Sequence, residues 1–223
     1  MIELQGIAVR LRLHGRSHQV FDGLDLRIPP RVSVGVVGAP GSGRSTFIRL
    51  LAGVVRPEHG RVLRSCRVSW PLGRASGFNA LLSGRVNARF MCRLEGFDED
   101  LAERLDWMRD FGELGDWFDQ PYGVWPMAVR QRFQLALALA FEFDVYLSDG
   151  IHALGKGAFR ARATTAIREI ARHRALVLAS DNLRALRELC QAGIWLHDGQ
   201  ATWFDDIHDA LRAHHHSRRL HLP

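Results

Sequence analysis

The stretch Gly38-Ala-Pro-Gly41-Ser-Gly43-Arg44-Ser45-Thr46 constrains this chain more than any other part of it. It follows Val32-Ser-Val-Gly-Val-Val37, a nearly continuous apolar run of the kind that forms a central strand covered on both faces. It opens Ser45 to Ala52, whose composition and spacing predict a helix. Strand, glycine-rich turn and helix in that order are the context of a P-loop. The glycines let the backbone wrap so that successive N–H groups point inward at a phosphate, and the helix N-terminus adds partial positive charge. Read this way, Gly38, Gly41, Ser42, Gly43, Arg44, Ser45 and Thr46 bind nucleotide, and the Ser45 hydroxyl is a ligand for Mg²⁺. Arg44 stands where a Lys would reach the β and γ phosphates. The 30 basic residues are 29 Arg and one Lys, Lys156, so coding bias accounts for that exchange. Arg keeps the charge but is planar and bulky, so binding survives while placement of a γ-phosphate suffers.

A second anchor is Phe143-Asp-Val-Tyr-Leu-Ser-Asp149-Gly150, an apolar strand ending in a carboxylate. Asp149 at the strand's C-terminal end is suited to hold Mg²⁺ through water. The rest of the chain alternates strand and helix at both ends. Strands are predicted over Ile2 to Val9, Leu24 to Ile28, Arg61 to Leu63, Ala175 to Ala179, Gly193 to His197 and Ala201 to Phe204. Helices are predicted over 85–94, 98–111, 127–141, 158–172 and 182–189. This predicts an α/β core, residues 1–84 and 143–223, with a helical subdomain over 85–142 inside a single domain. The run His214 to His216 reads as a frayed tail, not a metal site.

Charge is divided along the chain. Residues 1–94 carry +11, residues 95–159 carry −8 and residues 160–223 carry +3. The basic first part has no aromatic rhythm, so nucleic acid is not expected as a partner. Cys66, Cys92 and Cys190 lie far apart, which excludes a CxxC site and points to a reducing compartment. The longest apolar run, Leu135 to Phe141, is too short to span a membrane.

Beyond the two anchors, further words shape a resemblance: Val68-Ser-Trp-Pro-Leu-Gly73, Ser76-Gly-Phe78, Leu82-Ser-Gly-Arg-Val-Asn87, Phe111-Gly-Glu-Leu-Gly115, Trp117-Phe-Asp119 and Ala140-Phe-Glu-Phe-Asp144. With them, nearly the whole chain resembles an ATP-binding-cassette (ABC) nucleotide-binding subunit. It is most similar to those of bacterial capsular polysaccharide exporters. The resemblance implies a P-loop NTPase (RecA-like) core with an antiparallel β edge and a helical subdomain insertion. It implies ATP and Mg²⁺ as cofactors, and a second ABC subunit, as homodimer or heterodimer, to complete two ATP sites. It also implies a membrane permease whose coupling helices meet the helical subdomain, and a peripheral place on the cytoplasmic face of the bacterial inner membrane.

The departures from that family's pattern are concentrated where phosphate chemistry occurs. The Tyr that stacks on adenine aligns with Leu11, and the loop Gln with Asn79, kept as a nucleotide-binding candidate. The signature Ser-Gly-Gly aligns with Pro126-Met127-Ala128, where Pro has no N–H and Met is bulky. The catalytic Glu aligns with Gly150, and general-base help is worth about 10²–10⁴ in rate. The dimer-seam Asp aligns with Lys156. The switch His aligns with Asp181, which would repel a γ-phosphate. His152, near the missing Glu, reads as a polar loop residue because nothing in the sequence orients it. No catalytic residue is therefore assigned. The expectation is an exporter subunit with weak or no ATPase activity of its own. The alternatives are an active exporter ATPase with atypical motifs, a non-catalytic scaffold or regulatory pseudo-ATPase, an unrelated P-loop phosphotransferase and a basic nucleic-acid binder.

Overall fold

The computed structural model describes residues 1–13, 16–72, 77–150 and 157–220. The elements run β1 (Ile2–Leu13), β2 (Arg16–Ile28), β3 (Val34–Gly38), α1 (Arg44–Leu51), β4 (His59–Arg64), β5 (Val68–Pro71), α2 (Gly84–Leu94), α3 (Leu101–Phe111) and α4 (Met127–Leu139). They continue with β6 (Val145–Asp149), α5 (Gly157–His173), β7 (Ala175–Ala179), α6 (Leu183–Leu189), β8 (Ala192–His197), β9 (Gln200–Phe204) and α7 (Ile207–Leu220). Two units form. One holds Met1–Pro71, β6 with its flanks, and the chain from Arg168 onward; the other holds Leu72–Glu142 and the first part of α5.

The first unit is built on a six-stranded sheet in the order β5-β6-β7-β3-β8-β9. Its strands are parallel except for the β8–β9 hairpin. β3 and β7 are buried along their whole length, which matches their continuous apolar sequences. A second, antiparallel sheet has the order β2-β1-β4. Phe21 of β2 meets Phe47 of α1 edge-on at 6.2 Å, in a core shared with Val34, Val36, Leu147 and Val177.

The sequence pattern falls short in three places here. β1 and β2 run to 12 and 13 residues, beyond the stretches the alternation marks. Their register shifts between Leu4 and Ile7, between Ile7 and Val9 and again between Val9 and Arg10, so in and out faces do not alternate cleanly. β5 is a four-residue edge strand ending in Pro71, too short to give a period. The third is His214 to His216, expected as a tail, which lies within α7. α7 begins where Asp206 accepts a hydrogen bond from the His208 N–H at 2.8 Å, a local cap. It buries Ile207, Ala210 and Leu211. A Cβ on Gly193 would lie 2.3 Å from the Ala210 Cβ, so the helix reaches β8 through small residues instead of an apolar run.

The second unit packs α2, α3 and α4 around aromatic rings. Phe133 of α4 has Trp125 at 5.3 Å, Phe78 at 5.4 Å, Tyr122 at 5.8 Å and Phe118 at 6.2 Å. Arg85 of α2 holds Asp119 with two hydrogen bonds, 2.6 and 3.1 Å, and lies over the Phe118 ring. The Arg85 guanidinium keeps the Asp119 carboxyl below the usual carboxylate range. Two of the words that carry the resemblance thus meet in one contact. Among the described residues no helix is long and apolar enough to cross a membrane.

The cysteines make no disulfide, and Cys92 and Cys190 are buried while Cys66 is half-buried. Burial pushes the Cys92 thiol up to about 11 and the Cys190 thiol up to about 12. Thiols titrating that high are neutral at ordinary pH, and only the thiolate attacks. Iodoacetamide near neutral pH is therefore expected to modify Cys66 in the folded protein and the other two only in denaturant. Peptide mass mapping checks this; equal labelling of Cys190 without denaturant would contradict it.

Candidate functional site

Three strand ends of the first unit converge. β3 runs into the glycine-rich loop, and β7 separates it from β6 in the sheet. Asp149 closes β6 and Asp181 lies two residues past β7, so both carboxylates stand at the C-terminal edge of the sheet beside the loop.

The loop is shaped by close approaches. A Cβ on Gly38 would lie 2.3 Å from Ser42 Oγ and 2.7 Å from the Leu196 carbonyl oxygen. Gly43 has φ of 91° and is the N-cap of α1, with Val20 Cγ1 only 2.6 Å from where a Cβ would be. Only glycine meets both demands at that position. α1 has no side-chain cap at its N-terminus, which leaves the first-turn N–H groups that an α-helix cannot satisfy by itself available to a ligand. At its other end the Arg64 guanidinium donates to the carbonyls of Leu50 and Leu51, both at 2.8 Å, which fixes the helix from behind. Ser42 Oγ is buried and has no hydrogen-bond partner among the described residues.

Ser45 Oγ donates to Asp149 Oδ1 at 3.1 Å. The hydroxyl and carboxylate assigned to Mg²⁺ are therefore adjacent. Arg44 Nη1 donates to Asp181 Oδ1 at 2.5 Å, joining residues 137 positions apart. The Arg44 side chain is 16% exposed and that of Asp181 74%. Sequence reasoning treated these two positions as separate losses; the structure brings them together.

Gly150 has φ of 90°, and its N–H donates to the Ala179 carbonyl at 2.8 Å. A side chain at that φ is strained, so the position is glycine by backbone shape. A cleft of about 1040 Å³ opens beside the loop, lined by His18, Gln19, Val20 and Asp22 of β2 and by His197 and Asp198 of the β8–β9 hairpin, among others. Leu11 pairs with His18 across the β1–β2 ladder and packs against the core; His18 is the residue that faces the cleft. The His197 ring stacks on Trp195 at 4.8 Å. These histidines were invisible in the sequence, because neither belongs to a motif. Their one signal is their place on strands that flank the loop. Together the open N–H groups, the orphaned Ser42 hydroxyl and the cleft fit a nucleotide.

The remaining candidates lie in the second unit. Asn79 Oδ1 accepts from the Leu81 N–H at 2.9 Å, a local turn that occupies its side-chain oxygen. The buried Asn87 holds the loop around it, accepting from Asn79 N–H and donating to the carbonyls of Asn79, Leu82 and Ser83. Pro126 is the N-cap of α4, without a side-chain cap, and Met127 opens the helix 66% exposed. Ala128 follows in its first turn. The hydroxyl that a Ser would supply at this helix end is absent. His152 and Lys156 lie outside the described residues.

Comparison with known proteins accounts for this geometry. The ABC transporter family profile matches residues 21–151. The polysialic acid transport ATP-binding protein KpsT of Escherichia coli is 33% identical over 95% of this chain and 97% of its own length. The capsule polysaccharide export ATP-binding protein CtrD of Neisseria meningitidis serogroup B is 30% identical over 94% and 96%. The ATP-binding protein BexA of Haemophilus influenzae is 29% identical over 98% and 100%. In fold, the chain is similar to the ATP-binding cassette MJ0796, solved as a dimer bound to ADP and Pi. The TM-score is 0.76 at 15% identity, over 93% of this chain and 99% of that one. The α/β architecture is accordingly that of a P-loop NTPase cassette, and the chain belongs to the ABC transporter family.

Proposed function

We propose that this chain is the nucleotide-binding subunit of a capsule-type polysaccharide exporter, with weak or no ATPase activity of its own. The names of its near-full-length relatives support the transport assignment. The observation that carries the catalytic part is the Arg44–Asp181 ion pair at the mouth of the P-loop. A cation that would draw a γ-phosphate is already satisfied by a carboxylate, and Gly150 offers no general base beside it. The loop N–H groups and Ser42 would hold the inner phosphates, and Ser45 with Asp149 would hold Mg²⁺. The metal, when bound, supplies charge neutralisation at the phosphates. Pro126, Met127 and Ala128 would give a partner's nucleotide a helix end without a hydroxyl donor. A second ABC subunit, identical or different, therefore gains no complete site from this chain. A second reading, an active ATPase with atypical motifs, is favoured by the intact Ser45–Asp149 pair.

The partner that moves the polymer is a membrane permease, with this chain bound at the cytoplasmic face of the inner membrane. α2 supplies a surface for it. Val86, Phe90 and Leu94 recur every fourth residue on one face, with Leu81 and Leu82 just before, and Phe90 and Leu94 are 61% and 67% exposed. The opposite face, with Ala88 and Cys92, is buried. Phe90→Asp is expected to leave the fold intact, since an exposed position costs about 0.5 kcal/mol or less. It is expected to weaken association with the co-expressed membrane-spanning subunit of the same exporter by about 30-fold or more. Co-purification in detergent, with circular dichroism as the folding control, tests the assignment. Undiminished recovery of the complex with Phe90→Asp would sink the α2 surface, and no recovery with the unaltered chain would sink the exporter role.

A further inference from the structure

A P-loop normally offers its cation to the outer phosphates of a nucleotide, while the backbone N–H groups hold the inner ones. In this chain that cation is engaged by an internal carboxylate. Asp181 reaches Arg44 Nη1 from the end of β7, the strand next to the loop's own strand in the sheet. Arg has five N–H donors in a planar fork, so a guanidinium can hold a carboxylate on one nitrogen and a phosphate on another. A Lys ammonium presents no such fork. The Arg at 44 and the Asp at 181 therefore make sense as a pair. The pair leaves the inner-phosphate region untouched: the α1 first turn is uncapped, and Ser42 Oγ stays buried and unpartnered among the described residues. The adjoining cleft, about 1040 Å³, has room for a nucleoside.

We infer that this site is selective for a nucleoside diphosphate, with Asp181 standing in the place of the terminal phosphate of a triphosphate. The inference rests on the nucleotide-binding reading above and names its ligand. A diphosphate ends where Asp181 begins. A triphosphate must either push Asp181 off Arg44 or set its own charge beside the carboxylate. Asp181 is 74% exposed, so it screens Arg44 from one side only and leaves the site open to ligands. The discrimination comes from like charges a few ångströms apart, worth roughly tenfold in affinity at a screened surface.

Calorimetric titration of the full chain with ADP and with ATP, each with Mg²⁺, tests this. ADP is expected to bind about tenfold tighter than ATP. In Asp181→Asn the two affinities should converge, chiefly through tighter ATP binding, while Asp181→Glu should keep the preference. Asp181 is exposed, so neither variant is expected to disturb folding, which circular dichroism verifies. ATP binding as tightly as ADP to the unaltered chain, an unchanged ratio in Asp181→Asn, or no binding of either nucleotide to a folded chain would each overturn the inference. Loss of permease association with ADP selectivity retained would instead remove the exporter role and leave this site standing.

Discussion

A Gly150→Glu chain is expected to hydrolyse ATP no faster than the unaltered one. Supplying a general base where one is missing would ordinarily return about 10²–10⁴ in rate. Here the backbone blocks that return. Gly150 sits at φ of 90°, and its N–H is tied to Ala179 of the neighbouring strand. A glutamate at that φ costs about 1–3 kcal/mol of strain. It either destabilises the β6 end or relaxes into a shape that aims its carboxylate elsewhere. Arg44 remains engaged by Asp181 in the variant, so a γ-phosphate still meets a carboxylate beside its cation. Phosphate release measured with Mg²⁺ at saturating ATP checks the expectation. A gain of about 10²-fold or more would show that the missing base is the sole defect.

Phe133→Ala is expected to cost about 3–5 kcal/mol, the usual range for deleting a buried aromatic ring. Phe133 is fully buried and is the ring around which Phe78, Phe118, Tyr122 and Trp125 gather. The neighbours cannot collapse into the void without disturbing the tilted Phe78–Tyr122 and Tyr122–Trp125 pairs. The loss is a large part of the roughly 5–15 kcal/mol a domain has. Urea unfolding followed by circular dichroism reads it as a lower midpoint. The helical unit is expected to unfold in an early phase, because the aromatic cluster lies within it. Phe133→Leu, which keeps most of the volume, should cost less. A loss under about 1 kcal/mol for Phe133→Ala would mean the ring is not central to that packing.

The parts of the molecule that were legible in the sequence are those whose signal is local. The P-loop was readable because strand, glycines and helix are contiguous, although the contacts that crowd Gly43 come from Val20 and Phe21 of β2 and one of those at Gly38 from Leu196 of β8. Asp149 was readable because an apolar strand ended on it. α7 was not: Ile207, Ala210 and Leu211 keep helical spacing, but that apolar stripe ends at Leu211 and polar residues with three histidines follow, so the period is too short to stand out. The Arg44–Asp181 pair could not be read, since 137 positions separate its members and each looked like an independent departure. Coding bias explained Arg44 in isolation; the structure shows the carboxylate it contacts. Asn79 looked like a shortened loop glutamine, but Asn87, buried and bonded to that loop at several points, organises it. Polar residues that bind backbone have no sequence period, which is why Asn87 was missed.

The proposal that this ABC subunit keeps an inner-phosphate cradle but has given up hydrolysis is tested most directly by steady-state phosphate release. Measured on the purified chain with ATP and Mg²⁺, turnover is expected below about 0.1 s⁻¹, at least 10²-fold under the ordinary enzymatic median of about 10 s⁻¹. Turnover near 10 s⁻¹ that disappears in Asp149→Asn would contradict the account and establish an active ATPase.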